Sequence, residues 1–202
     1  LSARGARVFI NGAKSEEKCA EASGKIPNSI PVCADLTKKE EREALFKKTG
    51  GVDILVLNAS IQYKRAWDEF TEEEYDVQFE CNLKSSYHLI RLYAPYMKEQ
   101  KWGRIVTIGS VNQYNNHPEL SLYGVTKAAQ KKLCENIAPF LAPYGVTINN
   151  VAPGAIDTPR NREALSDSEF NKKVTASIPM GYVGKPCDVS PVVLLLCSDE
   201  GR

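Results

Sequence analysis

Histidine and net charge are both scarce in this sequence of 202 residues, and each shortage excludes something. Only His88 and His117 are present and no H-E-x-x-H pair occurs, so a metal site is not expected. The formal charge is +1, which argues against a polyanion-binding surface, although a local basic patch stays open. No run of about 18 apolar residues occurs, so no segment is expected to span a membrane. C-x-x-C spacing is absent too: Cys19, Cys33, Cys81, Cys134, Cys187 and Cys197 are scattered, several of them in apolar runs. That pattern suits free thiols in a reducing, cytoplasmic setting. The chain opens at Leu1 without Met and without a signal-peptide pattern. Repeats, low-complexity segments and linkers are lacking, and the length suits a single domain over residues 1–202. No G-x-S-x-G elbow supports a serine hydrolase.

What is present alternates. Residues 7–11, 30–34, 53–57, 104–109 and 146–151 are rich in apolar and β-branched side chains and read as strands. Helices are expected over 15–23 with Ser15 as N-cap, over 37–48 with Thr37 as cap, and over 121–141. Thr71 and Glu74 form a capping box that starts a further helix, running past Asn82 to about Lys98. A polar helical segment over 160–177 and a last helix over 188–198 follow. The third strand is apolar throughout, the mark of a strand buried on both faces of a parallel sheet. Strand then helix, joined by short connections, defines a doubly wound α/β fold with a parallel sheet in a three-layer α/β/α arrangement. Ligands of such sheets bind at the carboxyl ends of the strands. There stand Gly12-Ala13-Lys14, Asp35, Asn58, Ser110 and Pro153-Gly154.

The stretch from Gly103 to Lys127 carries the chemistry. Ser110 falls where a strand runs out, and Tyr123 and Lys127 lie four residues apart at the start of a helix, on one face. A Tyr hydroxyl titrates near ~10 and is a poor base at neutral pH. An ammonium one turn away is expected to favour the phenolate and lower that value. With a Ser hydroxyl to hold the reacting oxygen, the set reads as a proton-transfer centre for carbonyl/alcohol interconversion. A Tyr and Lys at this spacing also occur on ordinary solvated helices, so the pair alone carries little.

Taken with the rest of the chain, the sequence resembles the short-chain dehydrogenase/reductase family in its compact bacterial, Rossmann-like form. Asn58-Ala59-Ser60 stands at the family's N-A-G element, and Asn82 at its active-site Asn. Ser110 precedes Tyr123 by thirteen residues, and Tyr123-Gly-Val-Thr-Lys127 is the Y-x-x-x-K signature. Pro153-Gly154 with Ile156 and Thr158 matches the segment that meets the nicotinamide, and Met180-Gly181 to Lys185-Pro186 a late turn. Two departures stand out. The family's opening strand with its T-G-x-x-x-G-I-G phosphate loop, and its last strand, have no counterpart in these residues, so the domain is expected to be incomplete at both ends. A sheet lacking that first strand is expected to expose apolar edges.

The resemblance implies roles. Tyr123 would be the catalytic acid/base, Lys127 would lower its pKa and hold the nicotinamide ribose, and Ser110 would orient the substrate oxygen. Asn82 would hold, through its backbone, a water linking Lys127 to solvent. Asp35 and Leu36 would flank the adenine, and Asn58 and Ala59 the adenosine ribose. Ile108, Pro153, Gly154, Ile156 and Thr158 would complete the cofactor site with Tyr123 and Lys127. After Gly12 no carboxylate stands to repel a 2′-phosphate, and Ala13 and Lys14 lie there, which leans to NADP with NAD possible. Substrate contacts are expected from Ser110, Asn112, Gln113 and Tyr123, with residues 160–178 as a lid. The polar run Asn112 to His117 suits a sugar, sugar acid or polyol, and a 3-oxoacyl thioester is the alternative. A homo-oligomer, a tetramer through the long helices, is the expected assembly, with no nucleic acid and no membrane as partner. A non-catalytic subunit remains the competing reading if the phosphate loop is truly lacking.

Overall fold

The computed structural model describes residues 1–13 and 15–202, with the side chains of Glu163 and Ala164 outside the description. Lys14, expected at the cofactor phosphate, therefore lies outside the described residues. Among the described residues five strands alternate with helices in the order β1 (Val8–Gly12), α1 (Glu16–Gly24), β2 (Ser29–Cys33), α2 (Lys39–Thr49) and β3 (Ile54–Leu57). They continue with α3 (Glu72–Phe79), α4 (Ser85–Gln100), β4 (Gly103–Ile108), α5 (Ser121–Leu141) and β5 (Val146–Val151). Helices α6 (Pro159–Ser166), α7 (Ser168–Ser177) and α8 (Pro186–Leu196) complete the order. Every strand pairing is parallel, as the α/β reading requires. The chain therefore has the expected α/β, Rossmann-type architecture, but hydrogen bonding divides the sheet in two. β1 pairs with β2, while β3, β4 and β5 form a separate ladder with β4 central. A cavity of about 600 Å³ lies between β1 and β3, lined by Val8, Phe9 and Asn11 on one side and Ile54 to Leu57 on the other.

Local chemistry sets most element ends. The Ser15 hydroxyl accepts from the Lys18 amide at 3.3 Å, with Glu16 and Glu17 in the first turn of α1, where the helix dipole favours them. Thr71 and Glu74 exchange both bonds of the capping box that opens α3. Thr37 does not cap α2. Its hydroxyl and amide turn back to the Asp35 carboxylate at 2.8 and 3.0 Å, and Lys38 occupies the cap position. The expected single helix past Asn82 is interrupted by a π-helical turn over Glu80–Lys84, a wider turn that often marks functional sites. The expected segment over 160–177 is two helices, because Asp167 caps α7 by accepting from Phe170 N at 2.7 Å.

The core sits between the sheet and the pair α4 and α5. Ile105 and Val106 of β4 and Met97 of α4 are wholly buried, joined by Tyr93, Leu89, Cys134, Leu141 and Val146. Gly145 turns the chain from α5 into β5 with a φ of 71°, and a Cβ there would stand 2.5 Å from the Lys101 carbonyl oxygen. That close approach requires glycine. All six cysteines are free. Among the described residues no helix is long and apolar enough to cross a membrane.

Candidate active site

The site forms where β3, β4 and β5 end, under the first turns of α5. Tyr123, Thr126, Lys127 and Gln130 fall on one face of α5 at helical spacing, and all four are buried. Lys127 is only 1% exposed. Its ammonium donates to the Ile108 carbonyl at 2.7 Å, at the end of β4, and to Gln130 Oε1 at 3.5 Å. It stands 5.7 Å from the centre of the Tyr123 ring. Burial pushes the Lys127 pKa from 10.5 down to about 8, and the nearby Arg160 charge adds to the fall.

Tyr123 departs from expectation. Its phenol is pushed above the usual value, because burial outweighs the downward pull of Arg160 and of a hydrogen bond with Ser110. The expected lowering by Lys127 is not found: its ammonium donates to the Ile108 carbonyl and to Gln130, and burial dominates the phenol. Ser110 is where the sequence placed it, capping the short turn Val111–Gln113 by accepting from Asn112 N at 3.2 Å.

Asn82 lies in the π-helical turn and is wholly buried. Its side chain pairs with the Ile61 backbone like a neighbouring strand: Oδ1 accepts from Ile61 N at 2.7 Å and Nδ2 donates to Ile61 O at 2.9 Å. The same Nδ2 donates to Thr126 Oγ1 at 3.0 Å, and Thr126 donates to the Tyr123 carbonyl at 2.8 Å. The loop after β3 is thereby fastened to α5. The Asn82 carbonyl, expected to hold a water, accepts from Gln130 Nε2 at 3.2 Å and Ser86 Oγ at 3.2 Å. Gln130, Ser86 and Thr126 were not singled out from sequence. The available signal was a run of polar residues at 126, 127 and 130 on the face of Tyr123, in a helix whose inward face should otherwise be apolar.

A cleft of about 750 Å³ opens over this centre. Of the expected residues, Asn58, Ile108, Ser110, Asn112, Tyr123, Lys127, Pro153, Gly154, Ile156 and Thr158 line it. Leu36 and Ala59 line the neighbouring cavity between β1 and β3, which Asn58 also reaches. Ala13 and Asp35 line neither. Gln113, expected at the substrate, is turned away: Nε2 donates to Asn150 Oδ1 at 2.9 Å, and the residue does not line the cleft. Around the rim, Leu165, Phe170 and Val174 of α6 and α7 form an apolar wall. Arg160 opens the segment expected as a lid, although no role of its own was expected of it. Its guanidinium donates to Ser60 Oγ at 2.9 Å and to the Ser60 carbonyl, across 100 residues of chain.

The residues fit a nicotinamide dinucleotide. A long cleft begins at parallel strand ends, the placement nucleotides take in such sheets, and a buried ammonium stands at its floor. At Gly154 an added Cβ would meet only Val111 Cγ1 at 4.0 Å, so the backbone there is open to a flat ring.

A parallel α/β fold with Tyr123 and Lys127 buried on α5, beside Ser110 at the end of β4, is the arrangement expected of an oxidoreductase of the hydride-transfer class. The comparisons agree. The family described as enoyl-(acyl carrier protein) reductase matches residues 1–202. The chain belongs to the short-chain dehydrogenase/reductase family, whose members are oxidoreductases that act on CH–OH groups with NAD(P). It is similar to a tropinone reductase homolog of Arabidopsis thaliana, 32% identical over 206 residues, which cover 98% of this chain and 67% of that protein. The chain thus spans about two thirds of the plant protein's length. An L-rhamnose 1-dehydrogenase (NAD(P)(+)) of Azotobacter vinelandii is 32% identical over 211 residues, 98% of this chain and 82% of that one. Among solved structures, a 3-oxoacyl (acyl-carrier-protein) reductase of Agrobacterium tumefaciens with NADP bound has a TM-score of 0.92. It is 31% identical and covers 99% of this chain and 81% of its own.

Proposed function

We propose that this chain interconverts a secondary alcohol and a carbonyl on a small hydroxylated molecule, a sugar, sugar acid or polyol, using NADP or NAD. The observation that carries the reading is the burial of Tyr123 and Lys127 on one face of α5, with Ser110 bonded to the phenol at the floor of the cleft. Ile108, Pro153, Gly154, Ile156 and Thr158 would hold the nicotinamide end, and the dinucleotide, when bound, gives or takes the hydride. The raised pKa keeps the Tyr123 phenol protonated at neutral pH, ready to give its proton to a carbonyl oxygen. In the opposite direction Tyr123 takes the alcohol proton, and the positive charge of Arg160 and the Ser110 hydrogen bond favour the phenolate this requires. Ser110 orients the reacting oxygen. Asn82 acts at one remove, by fixing the loop after β3 through Ile61.

Tyr123→Phe is expected to lower turnover by about 10²-fold or more while NADPH binding survives. Unchanged turnover would remove Tyr123 from the mechanism. A second reading, a 3-oxoacyl thioester, draws support from the apolar wall of Leu165, Phe170 and Val174, which suits an acyl chain. A panel of polyols, sugar acids and 3-oxoacyl compounds separates the two. In this proposal residues 160–178 are the lid of one domain. The protein acts in the cytoplasm as a homo-oligomer through α4 and α5, and a monomeric elution profile would count against that assembly.

A further inference from the structure

The rim of the cleft carries an unusual charge pattern. Lys64 and Arg160 line it, Lys127 stands at its floor, and no carboxylate side chain lines it among the described residues. Elsewhere on the surface several cations are paired with carboxylates. Lys25, Lys84 and Lys131 each bond a glutamate one helical turn away, and Arg65, next to Lys64, bonds Glu74 at 2.8 Å. Lys64 and Arg160 have no such partner among the described residues. Each instead reaches across the cleft mouth between the loop after β3 and the lid. Arg160, at the start of α6, donates to the hydroxyl and carbonyl of Ser60. The Lys64 ammonium lies 5.2 Å above the ring of Phe170 in α7.

A guanidinium has five N–H donors in a planar fork. The Ser60 oxygens occupy two of its nitrogens at one edge, and donors remain for a planar anion. The Arg160 charge reaches the catalytic centre, since it pulls down both Tyr123 and Lys127. Two cations and a buried ammonium around one cleft repel one another, and an anionic ligand would relieve that repulsion.

We infer that Arg160, aided by Lys64, is the carboxylate-binding end of the substrate cleft, and that the substrate is a hydroxy acid or its oxo acid rather than a neutral polyol. The inference rests on the oxidoreductase reading above and narrows it. Arg160 is a specificity residue: it grips the carboxylate while Ser110 and Tyr123 hold the reacting oxygen. Only anion binding is assigned to it; no bond is made or broken there. A phosphate of the dinucleotide offers the same chemistry, so the test must separate the two sources.

Binding needs no turnover and is read by calorimetry on the purified protein saturated with NADPH, which cannot take a hydride from an alcohol. The probes are a series of aldonates and the alditols of equal chain length. The best aldonate is expected to bind about 30-fold tighter than its alditol, the scale of a charge-assisted bidentate pair. In Arg160→Gln that preference should fall to within about threefold, and Arg160→Lys should recover part of it. Arg160 is exposed, so both variants should fold. Equal binding of aldonates and alditols by the native protein, or an unchanged preference in Arg160→Gln, overturns the inference. So does a loss of NADPH affinity in Arg160→Gln as large as the loss for the aldonate, which would assign the cation to the cofactor. If the aldonate preference behaves as expected but no alcohol or carbonyl turns over, the oxidoreductase reading fails and the anion site stands.

Discussion

Replacing Lys127 with methionine should uncouple this protein's stability from part of its pH dependence. The Lys127 ammonium is buried at 1% exposure, and its pKa falls from 10.5 to about 8. The gap corresponds to about 3 kcal/mol against the folded state while the group is charged. Because a base is depressed here, that cost is complete below about pH 8. It fades as the pH rises toward 10.5, where the unfolded lysine also loses its proton. From pH 7 to 9, the native protein should therefore gain about 1 kcal/mol relative to Lys127→Met. The variant also loses the bonds to the Ile108 carbonyl and to Gln130, but that loss does not depend on pH. Urea unfolding of both proteins at a few pH values isolates the difference in slope, since the other titrating groups are shared. Parallel stability curves, or a native protein that falls relative to the variant as pH rises, would refute the reasoning. Turnover should be lost in the variant at every pH.

Other consequences follow from single contacts. Gln130→Leu removes the donor to the Asn82 carbonyl and to Ser86 and the acceptor of Lys127, and should cost about 2 kcal/mol in urea unfolding. Gly145→Ala forces a side chain at a φ of 71° onto the Lys101 carbonyl, with an expected loss of about 1–3 kcal/mol in the same assay. Of the six cysteines only Cys187 is exposed, while Cys81, Cys134 and Cys197 are buried with thiols that burial pushes up. A thiol reagent should thus react with one equivalent quickly, and Cys187→Ser should abolish that phase.

The apolar strands, the span of α5 and the capping box at Thr71 were all legible in the sequence, because each is set by neighbours within a few residues. Periodicity over 121–141 gives the same limits as the structure, and the Tyr123–Lys127 face follows from helical geometry alone. Thr37 and the 160–177 segment were misplaced for an equally local reason. The Asp35 carboxylate draws the Thr37 hydroxyl away from α2, and the Asp167 carboxylate starts a second helix within the segment.

What the sequence by itself determined is the order of strands and helices, the strand ends at which such sheets offer room for ligands, and the Ser110, Tyr123 and Lys127 set. Tertiary structure decided the rest, because it depends on groups brought together from far along the chain. Gln130 meets the Asn82 carbonyl only because a π-helical turn presents it to α5, and Arg160 meets Ser60 only across the cleft. The sign of the Tyr123 shift was likewise beyond the sequence. Spacing supplies the lysine, but burial, Arg160 and the Ser110 hydroxyl set how the phenol titrates.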